Sequence, residues 1–171
     1  MRAGKQTAFD TDIHVPLIVT GPGVPAARSV AHLASSIDLA PTFERLAGAK
    51  VPSTVDGISL LPLWHGESPG DWQQGVLIEH HGPTRTPNDP DQASRMSGNP
   101  PSYEAVRTAT ALYVRYGNGE REYYDTVTDP FQLHNLVATV SAGRLAPLQR
   151  ALSAMAECHN AAACQAAARV R

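Results

Sequence analysis

Ile13-His14-Val15-Pro16-Leu17-Ile18-Val19-Thr20 is the stretch on which the reading of the fold turns. It is apolar and rich in β-branched residues, and Gly21-Pro22-Gly23 closes it, so it reads as a buried strand. Pro16 has no amide to give to a ladder, which places it at the strand's start or on an edge. A helix follows. Ser36 or Asp38 can cap it, Pro41 fits its first turn, and Leu39, Phe43 and Leu46 make an apolar stripe. Gly48 ends it in a left-handed conformation. A strand followed by an amphipathic helix is the closing piece of an α/β domain.

Further along, Leu60-Leu61-Pro62-Leu63-Trp64 reads as a short helical turn and Val76-Leu77-Ile78-Glu79 as a strand. Residues 82–102 are rich in Gly, Pro, Asn, Asp and Ser and read as a long loop. After it the pattern turns antiparallel. Val106 to Tyr116 reads as one strand, Gly117-Asn118-Gly119 as a hairpin turn, and Glu120 to Tyr124 as the returning strand. Tyr123-Tyr124 should therefore put one ring in the core and one on the surface. Leu145, Leu148, Leu152 and Met155 form a helical face, and the Ala-rich tail extends that helix or frays. The expected division is residues 1–75, the end of an α/β domain, and residues 76–171, a small α+β subdomain with an antiparallel sheet and a C-terminal helix.

The chain has 171 residues, of which 42% are hydrophobic and 18% charged, a composition that excludes a disordered chain. A formal net charge of −2 without a basic run offers no attraction to nucleic acid or an anionic membrane. No apolar stretch approaches the roughly 20 residues of a membrane helix, and Met1 to Lys5 does not open a signal peptide. Cys158 and Cys164 lie six positions apart. They fit a small local disulfide loop in an oxidising compartment, or two free thiols on a terminal helix. Neither belongs to a zinc ligand set.

Several segments together carry a resemblance. Gly4-Lys5, Phe9-Asp10 and Ile13 to Val19 are similar, in that order, to a signature segment of the type I sulfatases. So are Ser36-Ile37-Asp38-Leu39-Ala40-Pro41-Thr42, Asp56-Gly57-Ile58-Ser59-Leu60-Leu61, Val106-Arg107-Thr108, Glu122-Tyr123-Tyr124-Asp125 and Asp129-Pro130-Phe131-Gln132-Leu133-His134-Asn135-Leu136. The resemblance covers nearly the whole chain and implies the C-terminal part of an alkaline-phosphatase-like sulfatase fold; Cys158 and Cys164, with Gly98-Asn99-Pro100-Pro101-Ser102-Tyr103, resemble the branch that includes N-acetylglucosamine-6-sulfatases and secreted bacterial arylsulfatases. It implies sulfate esters of sugars or aryl alcohols as substrates, calcium and formylglycine as cofactors, and a secreted or periplasmic location. Neither the formylglycine motif Cys/Ser-x-Pro/Ala-x-Arg nor the calcium ligands are found here, so the chain alone is expected to be inactive.

The resemblance assigns one residue directly. Lys5 matches the lysine that contacts the sulfate oxygens, where a compact ammonium donates to developing negative charge. Its bland alternative is an exposed surface lysine. His14 departs from the family's usual Arg and reads as structural. His80 and His81 close a strand and are candidate substrate contacts, set against a packing or surface role. Glu79, His80 and His81 do not suit one metal ion, because adjacent strand residues point to opposite faces. Loop 82–102 borders a substrate pocket or is a variable surface loop. Gly21-Pro22-Gly23 is no phosphate loop, since no Gly-Lys-Ser/Thr follows. Two other functions remain open: a non-catalytic interaction or carbohydrate-binding module, and a phosphodiesterase-type hydrolase on the same fold.

Overall fold

A computed structural model describes residues 6–82 and 100–170. The chain forms two compact units that interleave in sequence. One comprises residues 1–15 and 77–145, the other residues 16–76 and 146–171.

The first unit is built on a four-stranded sheet in the order β1-β2-β3-β4. The strands are β1 (Gly75–His80, whose last four residues lie in this unit), β2 (Tyr103–Thr108), β3 (Ala111–Tyr116) and β4 (Arg121–Asp125). β2 pairs antiparallel with β3, and β3 with β4. The expected single strand from Val106 to Tyr116 is two strands. Its turn, Ala109-Thr110, contains no Gly, Pro, Asn or Asp. The Thr108 hydroxyl accepts from the amides of Ala111, at 3.0 Å, and Thr110, at 3.4 Å, so a threonine supplies the turn chemistry. The Gly117-Asn118-Gly119 turn forms as expected, with Gly119 at φ 91°.

Register decides what each face holds. Arg107, Leu112 and Tyr124 form one cross-strand row, and Ala105, Val114 and Glu122 the next. On this face Tyr103, Ala105, Leu112, Val114 and Tyr124 pack into a core with Ala8, flanked by Phe9, Ile78 and Tyr116. The opposite face carries Val106, Tyr113 and Tyr123, also buried. Both Tyr123 and Tyr124 are therefore buried, contrary to the half-and-half expectation, because this sheet is covered on both faces.

The second unit has α2 (Leu39–Leu46), entered through a 3-10 turn at Ser36–Asp38, and α3 (Leu61–Trp64). Asp38, one of the two expected caps, precedes α2, and Ser35 closes a capping box with it at the start of the 3-10 turn. Gly48 sits at φ 69° past the helix end. Leu39 packs on a cluster of Leu60, Leu63 and Trp72, but Phe43 and Leu46 are exposed. Asp38 is fully buried and binds three segments. Its carboxylate accepts from the Ser35 amide (2.8 Å), the Ile58 amide (2.9 Å) and the Gln73 side chain (3.0 Å). Thr42 continues the link, donating to the Asp38 carbonyl and accepting from the Leu60 amide at 2.8 Å. A Cβ on Gly57 would lie 2.1 Å from the Ile37 carbonyl oxygen, which explains glycine there. The Ser-Ile-Asp and Asp-Gly-Ile-Ser motifs are thus the two halves of one hydrogen-bonded joint.

α4 (Ala142–Glu157) buries the expected Leu145, Leu148, Leu152 and Met155. The tail neither extends it nor frays: Asn160 caps a separate short helix, α5 (Ala161–Ala167), through the Ala163 amide. Cys158 and Cys164 are joined by a disulfide across that break.

The expected buried strand at residues 13–20 does not form. α1 (Asp10–Ile13) takes its first residue. The remainder has no regular structure, with Val15, Leu17 and Ile18 at 57%, 52% and 84% exposure. A strand is held only by a neighbour that accepts its ladder, and no described residue bonds to residues 15–20.

Candidate functional site

The segment after Lys5 is fastened across one face of the first unit's sheet. The Gln6 carbonyl accepts from the Tyr103 hydroxyl at 3.1 Å. Thr7 donates from its amide to the Asp12 carboxylate at 3.0 Å, and from its hydroxyl at 2.5 Å. Ala8 is buried in the core, and the Phe9 ring meets Tyr124 edge-on at 5.6 Å. The Asp10 amide donates to the Gln132 side-chain oxygen at 2.9 Å. The Asp10 carboxylate receives Arg107 bidentately, Nε at 2.8 Å and Nη2 at 2.9 Å. Gln6 meets β2 at Tyr103 and Asp10 meets it at Arg107, so the segment runs along that strand. Arg107 is the main cause holding the Asp10 carboxyl below its ordinary pKa.

Lys5 lies outside the described residues, as does most of the loop read at 82–102. The structure nonetheless brings its chain neighbour close to one of the two histidine candidates. The His80 ring stacks on Tyr103 at 5.4 Å, and the Tyr103 hydroxyl is the group that holds the Gln6 carbonyl. Burial, chiefly, raises the Tyr103 phenol to about 12, so it stays a donor at neutral pH. The Nε2 atom of His80 is buried and has no hydrogen-bond partner among the described residues. His81 follows the strand end and is exposed. His80 and the fastened segment thus share one contact residue, Tyr103, and His81 has no described contact with the segment.

The same sheet face carries Glu122, whose carboxyl is pushed above its ordinary pKa, chiefly by burial. The sequence reading missed Asp10, Arg107, Gln132 and Tyr103 as a set. Their partners are 97 and 122 positions apart in sequence, and only the fold joins them. Among the described residues, no group of three or more His, Cys, Asp or Glu side chains is arranged to hold a metal ion. No described helix is long and apolar enough to cross a membrane.

A family model described as "N-sulphoglucosamine sulphohydrolase, C-terminal" matches residues 3–157. Human N-acetylglucosamine-6-sulfatase is 32% identical over 90% of this chain and 32% of its own length. A putative sulfatase from Bacteroides thetaiotaomicron has a similar structure, with a TM-score of 0.67 and 30% identity over 86% of this chain and 30% of that one. A phosphonate monoester hydrolase from Silicibacter pomeroyi reaches the same TM-score at 27% identity, over 86% of this chain and 29% of that one. A solved structure in complex with its substrate D-glucosamine-2-N,6-O-disulfate matches at a TM-score of 0.56 and 26% identity, over 68% of this chain and 22% of that one. The chain spans about a third of the length of the relatives it matches.

Proposed function

Because this chain belongs to the N-sulphoglucosamine sulphohydrolase C-terminal family and is a C-terminal portion of the sulfatase fold, we propose that it serves the hydrolysis of sulfate esters by supplying the lysine that holds the sulfate. Sulfate monoester cleavage builds charge on oxygens around sulfur, and an ammonium aimed at them is worth most where it is already oriented. Lys5 fills that role in this reading. The observation that carries it is the family match beginning beside Lys5, with the residues after it locked onto a rigid sheet. A lysine on a freely moving terminus would lose entropy on every encounter; one at the root of a fastened segment loses less.

His80 is the second group in the proposal. Its Nε2 is buried and has no hydrogen-bond partner among the described residues, and this reading assigns that nitrogen to a sugar hydroxyl or a sulfate oxygen. Sulfated amino sugars are the favoured substrates and aryl sulfates the alternative, in keeping with the relatives' names. Calcium and formylglycine belong to the intact family, where they would supply a positive centre for the sulfate and a nucleophilic hydrate oxygen. The Cys158–Cys164 disulfide supports an exported or otherwise oxidising location.

The test is to sequence the DNA upstream of Met1 and express whatever longer frame encodes Cys-x-Pro-x-Arg. That protein should hydrolyse a 6-sulfated N-acetylglucosamine, and Lys5→Ala should lower kcat roughly 10²–10³-fold, the usual cost of one oxyanion donor. The equal structural likeness to a phosphonate monoester hydrolase makes a phosphonate monoester the second substrate to assay. Preference for it would replace the sulfatase reading. Monomeric, cooperative folding with sugar binding and no hydrolysis in any longer frame would favour the non-catalytic module.

A further inference from the structure

We infer that a cavity in the second unit, between α2 and α5, is a binding site for a small organic carboxylate with an aliphatic body. The site is independent of Lys5. Its residues are all described, lie in one unit and take no part in the chemistry assigned above.

The first observation is size and lining. The cavity has a volume of about 290 Å³, room for roughly ten non-hydrogen atoms at about 30 Å³ each. Pro41, Ile58, Ala161 and Ala162 give it aliphatic walls, and Arg45, Ser59 and Gln165 bring polar groups to it. Apolar walls with a few convergent donors select an apolar body that carries one anionic group. The second observation is the free capacity of those donors. Among the described residues the Arg45 guanidinium has no ion pair or hydrogen bond, whereas Arg107, Arg115, Arg144 and Arg169 each meet a carboxylate. Two acidic residues adjoin the lining in sequence, and neither pairs with Arg45. Asp56 accepts from the Asn160 amide at 2.7 Å, and Glu44 has one carboxylate oxygen buried without a partner among the described residues. The dipole of α2 favours a cation in its last turn. That accounts for the charge of Arg45 but not for a cavity beside it. The Ser59 hydroxyl accepts from the Leu61 amide at 3.3 Å, which leaves its own proton to donate. Gln165 gives one N–H to the Asp71 carbonyl at 3.4 Å and keeps the other. The third observation is that the walls are already fixed. The Ile58 amide is held by the Asp38 carboxylate and the Leu60 amide by the Thr42 hydroxyl. α5 is held by the Cys158–Cys164 disulfide, and just past its end the Ala168 carbonyl accepts from the Gln74 amide at 3.0 Å. A cavity formed in advance gives up little freedom when it is filled.

Sodium hexanoate is titrated into the purified chain and amide shifts are followed by two-dimensional NMR, with hexanol, glucuronate and inorganic sulfate as comparison probes. Hexanoate should shift the amides of Arg45, Ser59, Ala162 and Gln165 along one saturable curve. Hexanol lacks the anion and should bind about tenfold more weakly, the equivalent of one charge-assisted hydrogen bond. Glucuronate and sulfate lack the aliphatic body and should bind more weakly by at least the same factor. Arg45→Gln should weaken hexanoate about tenfold and leave hexanol unchanged, and Ala162→Leu should abolish the binding of both. Arg45 and Ala162 are exposed, so both variants should fold. If circular dichroism shows that either does not, the ratio of hexanoate to hexanol affinity in the parent chain decides. Glucuronate or sulfate binding as tightly as hexanoate overturns the inference, because the walls would then select nothing. Hexanoate affinity unchanged in Arg45→Gln overturns it as well, and so does the absence of a saturable shift in the parent chain.

Discussion

Residues 6–13 and 14–20 are consecutive, and they meet opposite fates. The first stretch is polar and short, yet it is bonded or packed to the sheet through Tyr103, Tyr124, Arg107 and Gln132. The second is the most strand-like stretch in the sequence, yet Leu17 and Ile18 face water and no described residue bonds to its backbone beyond His14. Hydrophobicity and β-branching measure what a segment would gain from a partner; they do not supply one. A segment's order is decided by the groups across from it, which local pattern does not contain.

The largest effect that can break this contrast lies beneath the fastened stretch. Leu112 is fully buried in the core that holds Ala8. Leu112→Ala should cost about 2–5 kcal/mol, visible as a lowered urea midpoint and faster exchange throughout residues 6–13. Next comes Arg107→Met, which removes a bidentate charge-assisted pair worth about 1.5–3 kcal/mol. Its expected signature is local: amides 10–14 lose protection before the sheet does.

Acid should sharpen the contrast by a smaller amount. Asp10 is held below its ordinary pKa by Arg107, so the pair's contribution is complete above the usual carboxylate range and is lost as pH falls from that range through the lowered pKa. Asp38, in the other unit, is shifted upward, chiefly by burial. Its carboxylate opposes folding increasingly as pH rises through and above that range. Exchange followed from neutral pH into acid should therefore loosen residues 6–13, while the Asp38 joint changes in the opposite sense. The smallest effect belongs to the unpartnered stretch. Ile18→Ser replaces a side chain 84% exposed, and should move stability of the isolated chain by no more than about 0.5 kcal/mol. A loss above about 1.5 kcal/mol, the range for burying such a side chain, would mean the residue is buried in solution.

What was legible in the sequence was the local chemistry. The α2 helix, the Gly117-Asn118-Gly119 hairpin and the α4 apolar face were all readable from caps, glycines and periodicity. The turn at Ala109-Thr110 was not, because Thr108 does by side-chain hydrogen bonding what glycine or asparagine usually signals. Of the candidate site, Lys5 is a candidate by the family match and His80 by its place at a strand end, and the Tyr103 ring against His80 was not legible. Arg107 within Val-Arg-Thr and Gln132 within Pro-Phe-Gln-Leu look like ordinary strand and loop residues. Their partners are brought to them by sheet register and by a left-handed residue that no composition announces.

Hydrogen exchange resolved to single amides across residues 7–20 is the most direct test. Slow exchange is expected at Asp10, Asp12, Ile13 and His14, whose amides bond to Gln132, Phe9, Phe9 and Asp10, and near-random-coil exchange at Val15 and residues 17–20. Equal protection across both stretches would contradict it, because residues 15–20 would then have a hydrogen-bonded partner that this account denies them.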